Sequence, residues 1–142
     1  MKKSTRGQSL FEVTVTLMIV SLVITAIAGV ALLSIKSGTY SKNKTLSTRY
    51  VQEANEWIRS QKDAGWAAFV GKVGAHSTMC LQELDWGPPT CLANDYVLGT
   101  NLIRKVSFTS VTNSVTVTVT VSWTDQSGYH ESNSVTYLTN WQ

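Results

Sequence analysis

From Val13 to Ile35 the chain carries no Asp, Glu, Lys, Arg or His, and this run limits what the rest can become. As a helix rising about 1.5 Å per residue, it reaches roughly 34 Å, enough to cross a bilayer core of about 30 Å. It contains no proline, and its apolar positions run all round the helix. That pattern suits a segment surrounded by lipid or by like helices, not one resting a single stripe on a core. Thr14, Thr16, Ser21 and Thr25 can satisfy their hydroxyls on carbonyls one turn back. Ala26, Ala28, Gly29 and Ala31 let neighbouring helices approach closely.

The run explains two averages that would otherwise mislead. Mean hydropathy near zero combines a greasy N-terminus with an ordinary polar domain. The formal charge of +3 comes from Lys2, Lys3 and Arg6; the remaining basic and acidic side chains cancel. The high pI thus reports a basic tip and gives no reason to predict a nucleic-acid-binding surface. Lys36, Lys42, Lys44 and Arg49 form a smaller cluster, read as a solvated helix surface. At 142 residues the chain is sized for one domain.

Beyond the run, the period changes. Val51, Ala54, Trp57 and Ile58 recur at helical spacing, with Gln52, Glu53, Glu56, Arg59 and Lys62 on other faces. One long helix, with Ser37-Gly38 as a place where it could bend, is expected to end near Asp63-Ala64-Gly65. Trp66 and Phe69 then begin the globular packing. Residues 71 to 101, rich in Gly, Pro, Asn and Asp, read as loop. Cys80 and Cys91 lie in it, and in an exported domain their simplest fate is a disulfide closing a short loop. A metal site would need more ligands than His76, so no metal or other cofactor is expected.

The C-terminal third is β. Val115, Val117, Val119, Val121 and Trp123 alternate with Thr116, Thr118, Thr120, Ser122 and Thr124, the period of a half-buried strand. Asp125 to Gly128 supplies a turn to a partner strand over Tyr129 to Thr139. Leu102 to Val111 forms a third strand, joined through Thr112-Asn113-Ser114. The predicted fold is α+β: a long N-terminal helix whose apolar half protrudes, packed by its C-terminal half on a small antiparallel meander. Five segments follow: 1–7 leader, 8–35 hydrophobic helix, 36–70 amphipathic helix half, 71–101 loop with the disulfide, and 102–142 sheet.

Three readings compete for the N-terminus. A plain membrane anchor, held with its basic tip in the cytoplasm, explains everything except Glu12, an acid at the edge of a membrane helix. A secretory signal peptide cut after Ala26-Ile27-Ala28 would place the cut inside the apolar run. In the third, RGQSLFEVTVTLMIV resembles the class III signal of type IV prepilins and pseudopilins: a short basic leader ending in Gly, then an apolar helix with Glu fifth after the cut. The resemblance is motif-specific over residues 1 to 35 and architectural thereafter.

The resemblance implies a non-enzymatic structural subunit of a type IV filament. The membrane-embedded prepilin peptidase would cut after Gly7 and methylate the new amine of Gln8. Glu12 would meet the N-terminal amine of a neighbouring subunit, a matched pair that offsets the cost of two lone charges in an apolar bundle; the alternative is that Glu12 snorkels to the membrane interface. Its expected partners are the peptidase, other pilin subunits, and the cytoplasmic membrane before assembly. The protein would begin as a single-pass membrane protein, N-terminus in, and end as a surface or periplasmic filament. Gln8 replaces the more usual Phe or Met, the apolar helix lacks a proline, and the cysteines precede the predicted sheet. These departures resemble a minor pilin or pseudopilin more than a major one. A type II secretion pseudopilin, a tip-located adhesin or DNA-uptake pilin, and an anchored protein that never polymerises stay open as alternatives. No nucleophile motif, P-loop or dinucleotide fingerprint points to catalysis. Trp66, Trp86, Trp123 and Trp141, with Tyr129 and Tyr137, could form a binding surface for DNA, sugar or a partner, but core packing explains most of them more cheaply.

Overall fold

The computed structural model describes residues 6–140. Helix α1 runs Arg6–Ala64 and helix α2 Trp66–Ala75; strands β1 Thr78–Cys80, β2 Ile103–Val111, β3 Ser114–Asp125 and β4 Gly128–Thr139 follow. The chain divides between Thr39 and Tyr40 into two units.

The first unit is the apolar part of α1. Its large side chains from Leu10 to Ile35 are exposed, and the helix is long and apolar enough to cross a membrane. The hydroxyls turn inward as their spacing allows. Thr14 Oγ1 donates to the Phe11 carbonyl at 2.8 Å, Thr16 to Glu12 at 2.7 Å, Ser21 to Met18 at 2.8 Å and Thr25 to Leu22 at 2.9 Å. Each removes an unmet polar group from a surface that offers no other partner. No break occurs at Ser37-Gly38; both residues are helical.

The second unit has the expected α+β arrangement. The C-terminal part of α1 packs on a four-stranded antiparallel sheet of order β1-β2-β3-β4. Val51, Ala54 and Ile58 of the helix join Val115, Val117, Val119, Val121 and Trp123 of β3 in one core. The Val/Thr alternation decides the face: the valines are buried, and the threonines opposite them remain partly accessible. Both hairpins turn through two residues, closing on Val111↔Ser114 and Asp125↔Gly128. Gly128 has φ 118, a conformation glycine tolerates best.

Three details depart from the sequence reading. Residues 71 to 101 are not all loop: α2 extends through Gly71 to Ala75, and Thr78–Cys80 adds a fourth strand at the edge. The 36–70 segment is likewise two helices, because the chain is extended at Gly65 before α2 begins. Phe69 and Val73, four apart, bury the inner side of α2. Finally, Tyr129 and Tyr137 are not core; they stand exposed on the outer face of the sheet, and Trp141 lies outside the described residues.

Candidate functional site

Glu12 is the only acidic residue between Arg6 and Ile35. The first turns of α1 place the residues singled out for processing and assembly on one continuous helix. Arg6, Gly7 and Gln8 are helical at its start, so Gly7 belongs to the helix itself. Lys2 and Lys3 lie outside the described residues. Glu12 follows Gln8 by four positions along the helix, about one turn. Among the described residues the Glu12 carboxylate enters no ion pair. It is exposed, as are Leu10, Phe11, Val13 and Leu17 around it.

Chemically this surface can do one thing well. A helix apolar on every side with a single carboxylate near one end enters hydrocarbon at a cost, which a cation partner or a place at the interface offsets.

Cys80 and Cys91 are disulfide-bonded. The bond does not sit in a free loop ahead of the sheet, since Cys80 is the last residue of β1 and buried. It ties the sheet edge to the loop that follows, and Cys80 N donates to the Pro88 carbonyl at 3.0 Å. Gly87 passes so close to the Cys80 carbonyl that a Cβ there would collide with it. The aspartates serve their own backbone: Ser127 N donates to Asp125 at 2.7 Å, and Leu92 N to Asp95 at 2.7 Å. The Ser127 amide, joined by His130 Nε2 at 3.0 Å, holds the Asp125 carboxyl below its usual pKa. Among the described residues no three His, Cys, Asp or Glu side chains gather as a metal would need.

One polar centre was not legible in the sequence. Arg104 points into the core from β2, its side chain 2% exposed. Nε donates to the Leu81 carbonyl at 3.1 Å and Nη1 to Glu53 Oε2 at 3.2 Å, and the guanidinium lies over the Tyr50 ring. Burial lowers its pKa, and the Glu53 carboxylate opposes that. The available signal was parity: Arg104 sits in phase with Val106 and Phe108, the inward positions of β2.

Comparison with protein-family models, curated proteins and solved structures yields no match.

Proposed function

We propose that this chain is the precursor of a minor pilin-like subunit of a type IV filament. It is cut after Gly7 by a prepilin peptidase, methylated at Gln8, and assembled through the apolar part of α1. The observation that carries this reading is Glu12, a lone carboxylate on a helix otherwise without charge from Gln8 to Ile35. A spanning helix needs no acid there, and an acid costs a few kcal/mol as it moves towards the bilayer centre. A filament core gives it a partner. Cleavage after Gly7 creates an amine at Gln8, and a neighbouring subunit shifted along the bundle brings that amine to Glu12. The pair fixes axial register as well as cancelling charge.

The disulfide fits an exported domain, and the polar outer face of the sheet fits display in water. The subunit starts in the cytoplasmic membrane with its basic tip inside and ends in the filament. Glu12→Ala tests the pairing. Membrane insertion should be retained while recovery in sheared filaments falls by about tenfold or more, the scale of a lost buried ion pair. Undiminished assembly of the variant would remove the basis of the proposal.

A further inference from the structure

The two edges of the sheet are finished differently. At β1 the strand is only Thr78–Cys80, and the outward Cys80 amide is taken up by Pro88 while Gly87 closes over its carbonyl. A short strand covered by its own loop offers nothing to add to.

β4 is the opposite case. The Asp125↔Gly128 closure and the Asn140 N to Asn113 O bond set the ladder parity. Even-numbered residues of β4 bond β3, and the N–H and C=O of Asn133, Val135 and Tyr137 point away from the sheet. Lys44 Nζ, donating to the Glu131 carbonyl at 3.3 Å, occupies the next outward position and confirms that phase. From Ser132 to Asn140 there is no charge and no proline, and the register runs on without a bulge. Among the described residues, none of the usual protections of an edge covers the stretch from Ser132 to Asn140. Alongside lies a groove of about 430 Å³, walled by Thr48, Gln52 and Asn55 of α1 and by Ser132 to Ser134 of β4. Lys44 lies at its Glu131 end, and a neighbouring hollow adds Arg49.

An unpaired strand edge on one wall and a helix on the other is the geometry in which an extended peptide docks as a further strand. We propose that the β4 edge binds an extended segment of another protein, running antiparallel to β4. Its backbone pairs with Asn133, Val135 and Tyr137. Its inward side chains are small and polar, to meet Gln52 and Asn55. Its outward side chains are β-branched or aromatic, beside Val135 (53% exposed) and Tyr137 (73% exposed), the cross-strand pairs that stabilise sheets. Near its C-terminal end it carries an acid, facing Lys44 and Arg49. A second copy of this chain fits less well. Its β4 would bring its own α1 onto the same face of the extended sheet, so two helices would contest one groove. The proposal does not depend on the filament reading.

The test uses the full-length protein in detergent micelles and a synthetic seven-residue peptide alternating Thr and Val, closed by Glu and blocked at both ends. On titration, backbone amide resonances of Asn133, Val135 and Tyr137 should shift and gain exchange protection. Val135→Pro removes a donor that β3 does not use, so β3 amides should stay protected while the peptide binds at least about tenfold more weakly. Lys44→Glu should weaken the Glu-terminated peptide more than one ending in Gln. Equal binding to Val135→Pro, or shifts elsewhere than along β4, overturns the site. Concentration-dependent protection of β4 without peptide overturns the assigned occupant in favour of a second copy.

Discussion

Arg104 reaches Glu53 across the helix–sheet interface, Nη1 to Oε2 at 3.2 Å, while its Nε holds the Leu81 carbonyl at 3.1 Å. One buried guanidinium thus joins α1, β2 and the residue following β1. Only the Glu53 end meets solvent, its side chain 42% exposed.

Removing the acid leaves a buried charge with the Leu81 and Tyr50 carbonyls, at 3.1 and 3.5 Å, and the Tyr50 ring. Glu53→Ala should lower unfolding free energy by about 1–3 kcal/mol, less than the 3–5 of a fully buried pair because solvent compensates. Arg104→Met in the Glu53→Ala background should recover part of that loss, because the orphaned charge is gone. Denaturant unfolding of the four variants completes the cycle. Additive losses would show that the pair is not a coupled unit.

Most of the fold could be read from periodicity, and the reasons for the exceptions are physical. The period-2 run from Val115 to Trp123 and the helical spacing of Val51, Ala54 and Ile58 each bury one face, so pattern and structure coincide. β1 escaped because three residues are too few to show a period; its place is set by pairing with β2. Arg104 escaped because a strand pattern treats arginine as outward, whereas here it is inward and paired. Tyr129 and Tyr137 were misplaced by residue type, although their odd parity in β4 already put them opposite Ser132, Ser134 and Leu138. Of the candidate site, Glu12 was legible because it is an exception within an uncharged run. What Glu12 meets in an assembly is not written in a single chain.

Gly87 is required by contact. The close approach to the Cys80 carbonyl leaves no room for a methyl, so Gly87→Ala should cost about 1–3 kcal/mol, the usual cost of overpacking. Thermal unfolding of the oxidised protein measures it. An unchanged midpoint would mean the loop relaxes freely and does not close the β1 edge.

The Cys80–Cys91 bond closes a short loop, with a sequence separation of 11. The chain-entropy relation gives about 2–3 kcal/mol for such a loop. Cys80→Ser with Cys91→Ser, or reduction of the native protein, should lower the unfolding midpoint accordingly. A reduced protein as stable as the oxidised one would contradict the linkage.

Asp125 supplies a pH dependence. Its folded pKa lies below the ordinary carboxylate value of 3.8, first through the Ser127 amide and then through His130. The folded state therefore prefers the ionised carboxylate. The stabilisation is present above the unfolded pKa and is lost as pH falls through 3.8 to the depressed folded value. Asp125→Asn should flatten stability against pH in that acid range. An acid unfolding curve with unchanged slope would assign the acid sensitivity elsewhere.

The intact mass of the protein recovered from its native membrane is the sharpest test of the proposed cut after Gly7 and methylation of Gln8. The expected chain begins at Gln8 and carries one added methyl group. A mass corresponding to the uncut chain, or to a start at Gly29, would contradict it.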